Sequence, residues 1–294
     1  MLTDDAVFRI GNYEFGHNRG KLRTFGWDLG DYDSYHGEIT YNGLNFFGYV
    51  QDKPPTWTLK LRTLTNIPGQ PLGNTELAQN ELAKFYAAWR PTLGAGTDIA
   101  LRYKLAGRWR RVYGRPGKIT KPSTNYLVDT GRADVTAEFH CSDSNTYAET
   151  PKSVVTTLAP SVTGGILPGM APPWYWASGT TATARTVAVG GDTAAPFTIT
   201  FTGPVTDPVA TVGGLQIALI GTLAYDVSVN IDTRRRRIMY GGARSGSAAA
   251  MLAPHTRLKD LTLEPGSHSL QFKGIDETGS ATCEIVWRDT YLGI

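Results

Sequence analysis

The sequence predicts a mainly β protein of two domains. The first is an N-terminal β-domain carrying one α-helix, and the second is a C-terminal β-sandwich of the jelly-roll kind. Three observations predict this. Short runs of alternating apolar and polar residues recur along the 294-residue chain, which is the pattern of half-buried strands. Between those runs, 33 glycines and 17 prolines supply turns. Only residues 73–91 repeat their apolar positions at helical spacing. A chain of this length supports two ordinary cores. Its 41% hydrophobic and 11% aromatic residues give enough apolar surface to offset chain entropy.

In chain order, the first domain spans residues 1–151. Its stretch "DLGDYDSYHGE", residues 28–38, is acidic but departs from a calcium loop, because His36 stands where that loop needs a glycine. A solvated loop is expected there. "TWTLKLRTLT", residues 56–65, sets Trp57, Leu59, Leu61 and Leu64 against polar positions, as a strand does. "GNTELAQNELAKFYAAWRP", residues 73–91, reads as a helix over about 75–90. Asn74 or Thr75 can cap it and Pro91 stops it. Ala78, Leu82, Phe85, Tyr86 and Trp89 form its apolar stripe, which core packing across a sheet explains better than a cofactor box. Residues 99–119 form a hairpin turning at Ala106-Gly107. "RADVTAEFHCSD", residues 132–143, closes the domain with Val135, Ala137 and Phe139 to one side.

Residues 152–184 read as a linker, since charge vanishes between Lys152 and Arg185 while Gly, Pro, Thr and Ala dominate. Within it, Trp174, Tyr175 and Trp176 have two readings. They anchor the linker onto the second domain, or they stack on sugar rings; anchoring is favoured. The second domain, residues 185–294, shows short strands at 185–189, 197–201, 215–220, 225–231, 237–240, 258–263, 268–272 and 282–287, with no helical pattern between them.

Net charge is +3, from 29 Lys plus Arg against 26 Asp plus Glu. Without Arg234, Arg235, Arg236 and Arg237 the balance is 25 against 26, so the basic excess lies in that tetrad. A nucleic-acid-binding face spreads its basic residues, because each neutralised phosphate adds affinity. Here Val227, Val229 and Ile231 alternate with polar residues, Asp232 to Arg235 suits a turn, and a return strand runs through Ile238 and Tyr240. The arginines then divide between a turn and two strand faces. A solvated hairpin tip is the favoured reading, contact with an acidic patch on another protein comes next, and nucleic acid last.

Chemistry-bearing patterns are absent from the sequence. The five histidines show no ligand spacing. In His140-Cys141-x-Asp143 the first two neighbours would point to opposite strand faces. Neither a phosphate-cradling glycine loop nor a nucleophile-elbow serine occurs. The expectation is therefore no enzyme activity, no metal and no cofactor. Cys141 and Cys283 lie far apart and suit no disulfide framework. The N-terminus lacks a signal-peptide pattern, which fits cytoplasmic synthesis. The uncharged run 208–225 is divided by Gly213-Gly214, so membrane insertion is not expected.

The order of elements resembles the distal tail proteins, or minor tail proteins, of long-tailed bacteriophages. "AEFHCSDSNTY", residues 137–147, is similar to the strand that closes that family's first domain before an Asp-Pro-aromatic motif; here Ser144 follows Asp143. "RWRRVYGRPGKI" is similar to its paired strands after the helix. "GPVTDPVATV", residues 203–212, resembles its turn-Asn-Pro strand, with Asp207-Pro208 in that place. "VSVNIDTRRRRIMY", "LEPGSHSLQF" and "EIVWRDTY" resemble its basic turn, Pro-Gly turn and last strand. The resemblance implies a galectin-like second domain and a hexameric ring at the virion's tail tip. That ring would join the tail tube to the host-recognition apparatus, with tail tube, tape-measure and hub or fibre proteins as partners. A carbohydrate-binding module using Trp174 and Trp176 is the alternative.

Overall fold

The computed structural model describes residues 7–16, 22–30, 33–41, 44–63, 74–90, 97–120, 122, 127–128, 130–158, 184–276 and 278–293. For residues 33–52 it describes the backbone alone. Antiparallel strands dominate, and their contacts divide the chain into two units: Met1–Glu149 with Tyr291–Ile294, and Thr150–Thr290.

The first unit contains β1 (Val7–Ile10), β2 (Tyr13–Phe15), β3 (Leu22–Asp28), β4 (Asp33–Tyr41), β5 (Leu44–Lys53) and β6 (Thr56–Thr63). Helix α1 (Thr75–Trp89) follows, then β7 (Ile99–Leu105), β8 (Arg108–Thr120), β9 (Asp134–Cys141) and β10 (Asn145–Ala148). The main sheet runs β2-β1-β7-β8-β9-β6-β3, with β10 beside β8 and the C-terminal strand Thr290–Leu292 beside β10. Alternation sets its core face: in β6, Trp57, Leu59, Leu61 and Thr63 are buried, and in β9, Val135, Ala137, Phe139 and Cys141. Helix α1 starts where expected, because the Asn74 side chain accepts the Leu77 N–H at 3.0 Å and satisfies one orphan donor. It buries Ala78, Leu82, Phe85 and Trp89. Trp89 meets Phe139 with ring centroids 6.1 Å apart, and Phe85 meets Phe15 at 5.3 Å.

The β7–β8 hairpin turns at Ala106 and Gly107, whose φ values of 49° and 75° give the two-residue loop that matches strand twist. Gly114 is needed further along β8, since a Cβ there would lie 2.1 Å from the His140 carbonyl oxygen of β9. The acidic stretch expected as a loop is a strand from Asp33 onward. Tyr35, Ile39 and Tyr41 sit at alternating positions in the sequence, and β4 pairs with β5 along its length, with a bulge between His36 and Glu38. These two strands form a separate two-stranded sheet.

The second unit is a sandwich of two five-stranded sheets. One contains β11 (Lys152–Thr157), β13 (Phe197–Thr202), β17 (Val227–Asp232), β18 (Arg237–Gly242) and β20 (Thr282–Trp287). The other contains β12 (Arg185–Val189), β14 (Val205–Val212), β15 (Leu215–Ala218), β16 (Thr222–Leu223) and β19 (Gly266–Ile275). Ile199, Phe201, Val229, Ile231 and Ile285 from the first sheet meet Val187, Val212, Ile217, Leu270 and Phe272 from the second. The Phe201 and Phe272 rings lie 5.8 Å apart. Lys152–Thr157, at the start of the stretch expected as a linker, is the outer strand of the first sheet and buries Thr156. The strand expected over 258–263 is instead a 3-10 turn at Leu258–Asp260. Leu261 and Leu263 are buried, but only Leu263 bridges to a neighbour, Ala195, so the apolar spacing reflects burial without a ladder.

Candidate functional site

The arginine tetrad tips the β17–β18 hairpin. Its last paired rung is Asp232 with Arg237, so Thr233 to Arg236 make the turn. The Asp232 carboxylate accepts the Arg235 N–H at 3.0 Å, the Asx geometry that its position predicts. Arg236 adopts a φ of 52°, which reverses the chain. Thr233 points inward and is buried. Its Oγ1 accepts the Phe197 N–H at 2.9 Å, and its own N–H donates to the Phe197 carbonyl at 3.0 Å. The turn is thus fastened to β13 by threonine, while Arg235, Arg236 and Arg237 are exposed and Arg234 is half-buried. The Asp232 Oδ2 lies 3.9 Å from the Arg235 Nε. A rigid, positively charged tip of this kind suits recognition of an acidic surface.

In the first unit, a cavity of about 500 Å³ is walled by Leu29, Pro55, Trp57 and Leu292, with Ser144 and Thr146 as its polar groups. The Thr146 hydroxyl donates to the Gly293 carbonyl at 2.6 Å, whereas the Ser144 hydroxyl is buried with no partner among the described residues. Among the described residues its lining holds no carboxylate, histidine, lysine or cysteine.

Two thiols are buried. Burial pushes the Cys141 and Cys283 thiols up to about 12, with Asp143 and Glu284 adding to the shift, so neither is a thiolate near neutrality. His140 is exposed, with Nδ1 3.1 Å from the Thr56 Oγ1, while Cys141 is buried on the opposite face. Among the described residues no group of three His, Cys, Asp or Glu could hold a metal ion. Nor is any helix among them long and apolar enough to cross a membrane.

Trp174, Tyr175 and Trp176 lie outside the described residues. Two features escaped the sequence. The cavity is assembled from strands distant in sequence. The second feature is an ion cluster in which Glu149 takes Arg111 at 2.7 Å and Arg102 at 3.3 Å. Half of that cluster was accessible, because a turn centred on Ala106-Gly107 places Arg102 opposite Arg111. Two like charges side by side then require an acid. Nothing in the pattern singled out Glu149.

No protein-family model matches the chain, and no curated protein matches it. Solved structures do. The crystal structure of the SPP1 Dit protein, described as a paradigm of the hub adsorption apparatus in phages infecting Gram-positive bacteria, superposes with a TM-score of 0.54 at 13% identity. The match covers 97% of this chain and 94% of that one. A chain of the phage P2 baseplate in its activated conformation with Ca superposes with a TM-score of 0.53 at 14% identity, over 95% of this chain and 97% of that one. The likeness is one of fold. It extends through both units, so the order of a helix-bearing β-domain followed by a sandwich is shared with these phage proteins.

Proposed function

We propose that the protein is a structural component of a phage tail tip, a distal tail protein acting without catalysis. In this reading six copies close into a ring that joins the tail tube to the host-recognition apparatus. Tail tube, tape-measure and hub or fibre proteins would be the partners, and the virion's tail tip the location. The observation that carries the reading is the fold likeness over nearly the whole length of both chains, 97% and 94% for SPP1 Dit. A single shared sandwich would not carry it, since one such fold hosts many functions. The exposed charged tip of the β17–β18 hairpin suits a role in positioning.

The test is the mass of the purified chain by light scattering, followed by negative-stain imaging of the main peak. The expected outcome is a closed sixfold ring, alone or on addition of tail tube protein. A chain that forms no ring in either condition defeats the proposal.

A further inference from the structure

The tetrad carries the chain's entire basic excess, and it ends a sheet face that is almost free of charge. In the first sheet of the sandwich, Phe197, Ile199, Phe201, Val229 and Ile231 point into the core, so the residues between them point outward. Register aligns the outward residues in rungs. Ser153, Val286, Thr198, Asp232 and Arg237 form the rung at the tip. The next runs Val155, Glu284, Thr200, Asn230 and Met239, and a third runs Thr157, Thr282, Thr202, Ser228 and Gly241. Beyond the tip rung, Glu284 is the one charge on this face among the described residues. Val155 is exposed, and the Asn230 Nδ2–H donates to the Thr200 Oγ1 at 3.0 Å. A plateau poor in charge beside a charged rim is the layout of protein interfaces, whose cores are depleted in charged residues.

We propose that this face docks a different protein, one that presents an uncharged patch edged by carboxylates against the arginines. The inference goes beyond the tail-tip reading and needs only the sandwich itself. Guanidinium groups hold carboxylates through paired hydrogen bonds. Their turn is already fixed by Asp232 and Thr233, so little order is lost on docking. Four strand spacings and four residue rises make the plateau about 19 Å by about 14 Å, on the order of 250 Å². A standard interface buries about 800 Å² per partner, so a single contact here is weak. The arginines supply its orientation and its encounter rate. Nucleic acid is the weaker occupant, because a polyanion needs cations spread along the contact and the plateau carries none. A second copy offering the same face supplies only Asp232 and Glu284 against four arginines.

Full-length protein tests this with a probe peptide of four glutamates followed by alternating threonine and valine. Binding is followed by fluorescence anisotropy at low and high salt and by backbone amide NMR. The expected result is saturable binding that salt weakens. Amide shifts appear at Arg234 to Arg237 and at Thr198, Thr200 and Asn230, and none appear on the second sheet. Replacing all four arginines with serine lowers affinity at least about tenfold, the effect of losing a close charge pair. Replacing them with lysine keeps the charge without the paired bonds and falls between the two. A wild type that binds the peptide no better than the serine variant overturns the proposal, as do shifts that leave the plateau untouched. An oligothymidylate that binds more tightly than the peptide gives the face to nucleic acid and overturns it. Self-association that the serine replacement abolishes gives the face to a second copy and overturns it too. Rings that form while the peptide fails to bind remove this surface and leave the tail-tip reading intact. Peptide binding by a chain that forms no ring keeps the surface and removes the ring.

Discussion

In the first unit Arg102 and Arg111 face each other across a hairpin and share Glu149, whereas in the second unit four arginines crowd a hairpin end beside Asp232. The residue type and the local element are the same in both places, so register alone separates the two outcomes. Opposed positions within a sheet share a face, and there Arg111 is only 8% exposed. A charge so placed must be compensated inside the fold. Positions around a turn splay toward water, which solvates Arg235, Arg236 and Arg237. The first cluster is therefore part of the fold, and the second leaves its charge available to another molecule.

The sharpest way to break this comparison is Glu149→Ala. It strips Arg111 of its ion pair at 2.7 Å and of the bond from Nε at 2.9 Å. The Arg111 side chain is 10% exposed and that of Glu149 28%, so this pair is far less solvated than a surface one. We expect a loss of about 3 kcal/mol, the lower end for breaking a buried pair. For a unit of this size that lowers the melting temperature by roughly 6–12 °C in differential scanning calorimetry. A loss below about 1 kcal/mol would place the cluster among ordinary surface pairs.

Thr233→Val sharpens the other side of the comparison. Valine keeps the shape but removes the acceptor of the Phe197 N–H, leaving a buried donor unsatisfied. The expected cost is about 1–3 kcal/mol in chemical unfolding. Replacing Arg234, Arg235, Arg236 and Arg237 with serine should change stability by less than about 0.5 kcal/mol, as exposed substitutions do. The small neighbour would then matter more to folding than the four charges beside it. If the serine variant unfolds more readily than Thr233→Val, the exposed-tip assignment fails.

How much was legible in the sequence follows the same division between local and distant causes. Asn74 capping α1, the turn at Ala106-Gly107 and the Asx turn at Asp232 are each decided within a few residues, and all three stand in the structure. The alternation in β6, β9 and β17 was equally plain, because one face of each strand meets a core. Burial alone, however, does not make a strand. Leu258, Leu261 and Leu263 carried apolar spacing without a neighbouring ladder, and a 3-10 turn resulted. The stretch from Asp33 erred in the opposite sense, because its charges masked the alternation that pairs it with β5. In the candidate site, the tetrad's exposure followed from the turn. The cavity and Glu149 depended on strands far apart in sequence, and such meetings leave no local trace.

The smallest expected effect concerns a third arginine, which stands between the two cases. Arg62 holds Asp134 through two bonds, at 2.7 and 2.8 Å, with both side chains more than a third exposed. The hydrogen bond from Arg62 keeps the Asp134 carboxyl below its ordinary value, against a smaller opposing effect of burial. A carboxylate lowered on folding adds stability above its unfolded value, near pH 3.9 for aspartate, and the gain is lost as pH falls through the lowered folded value. Solvent screens this pair, so its contribution is only a few tenths of a kcal/mol. Comparing wild type with Asp134→Asn by chemical unfolding should therefore show a small difference that is flat above about pH 5 and shrinks toward zero in acid. A difference for Asp134→Asn that grows in acid would mean that this carboxyl is held in its neutral form, and the arginine beside it would then be a contact without a charge pair.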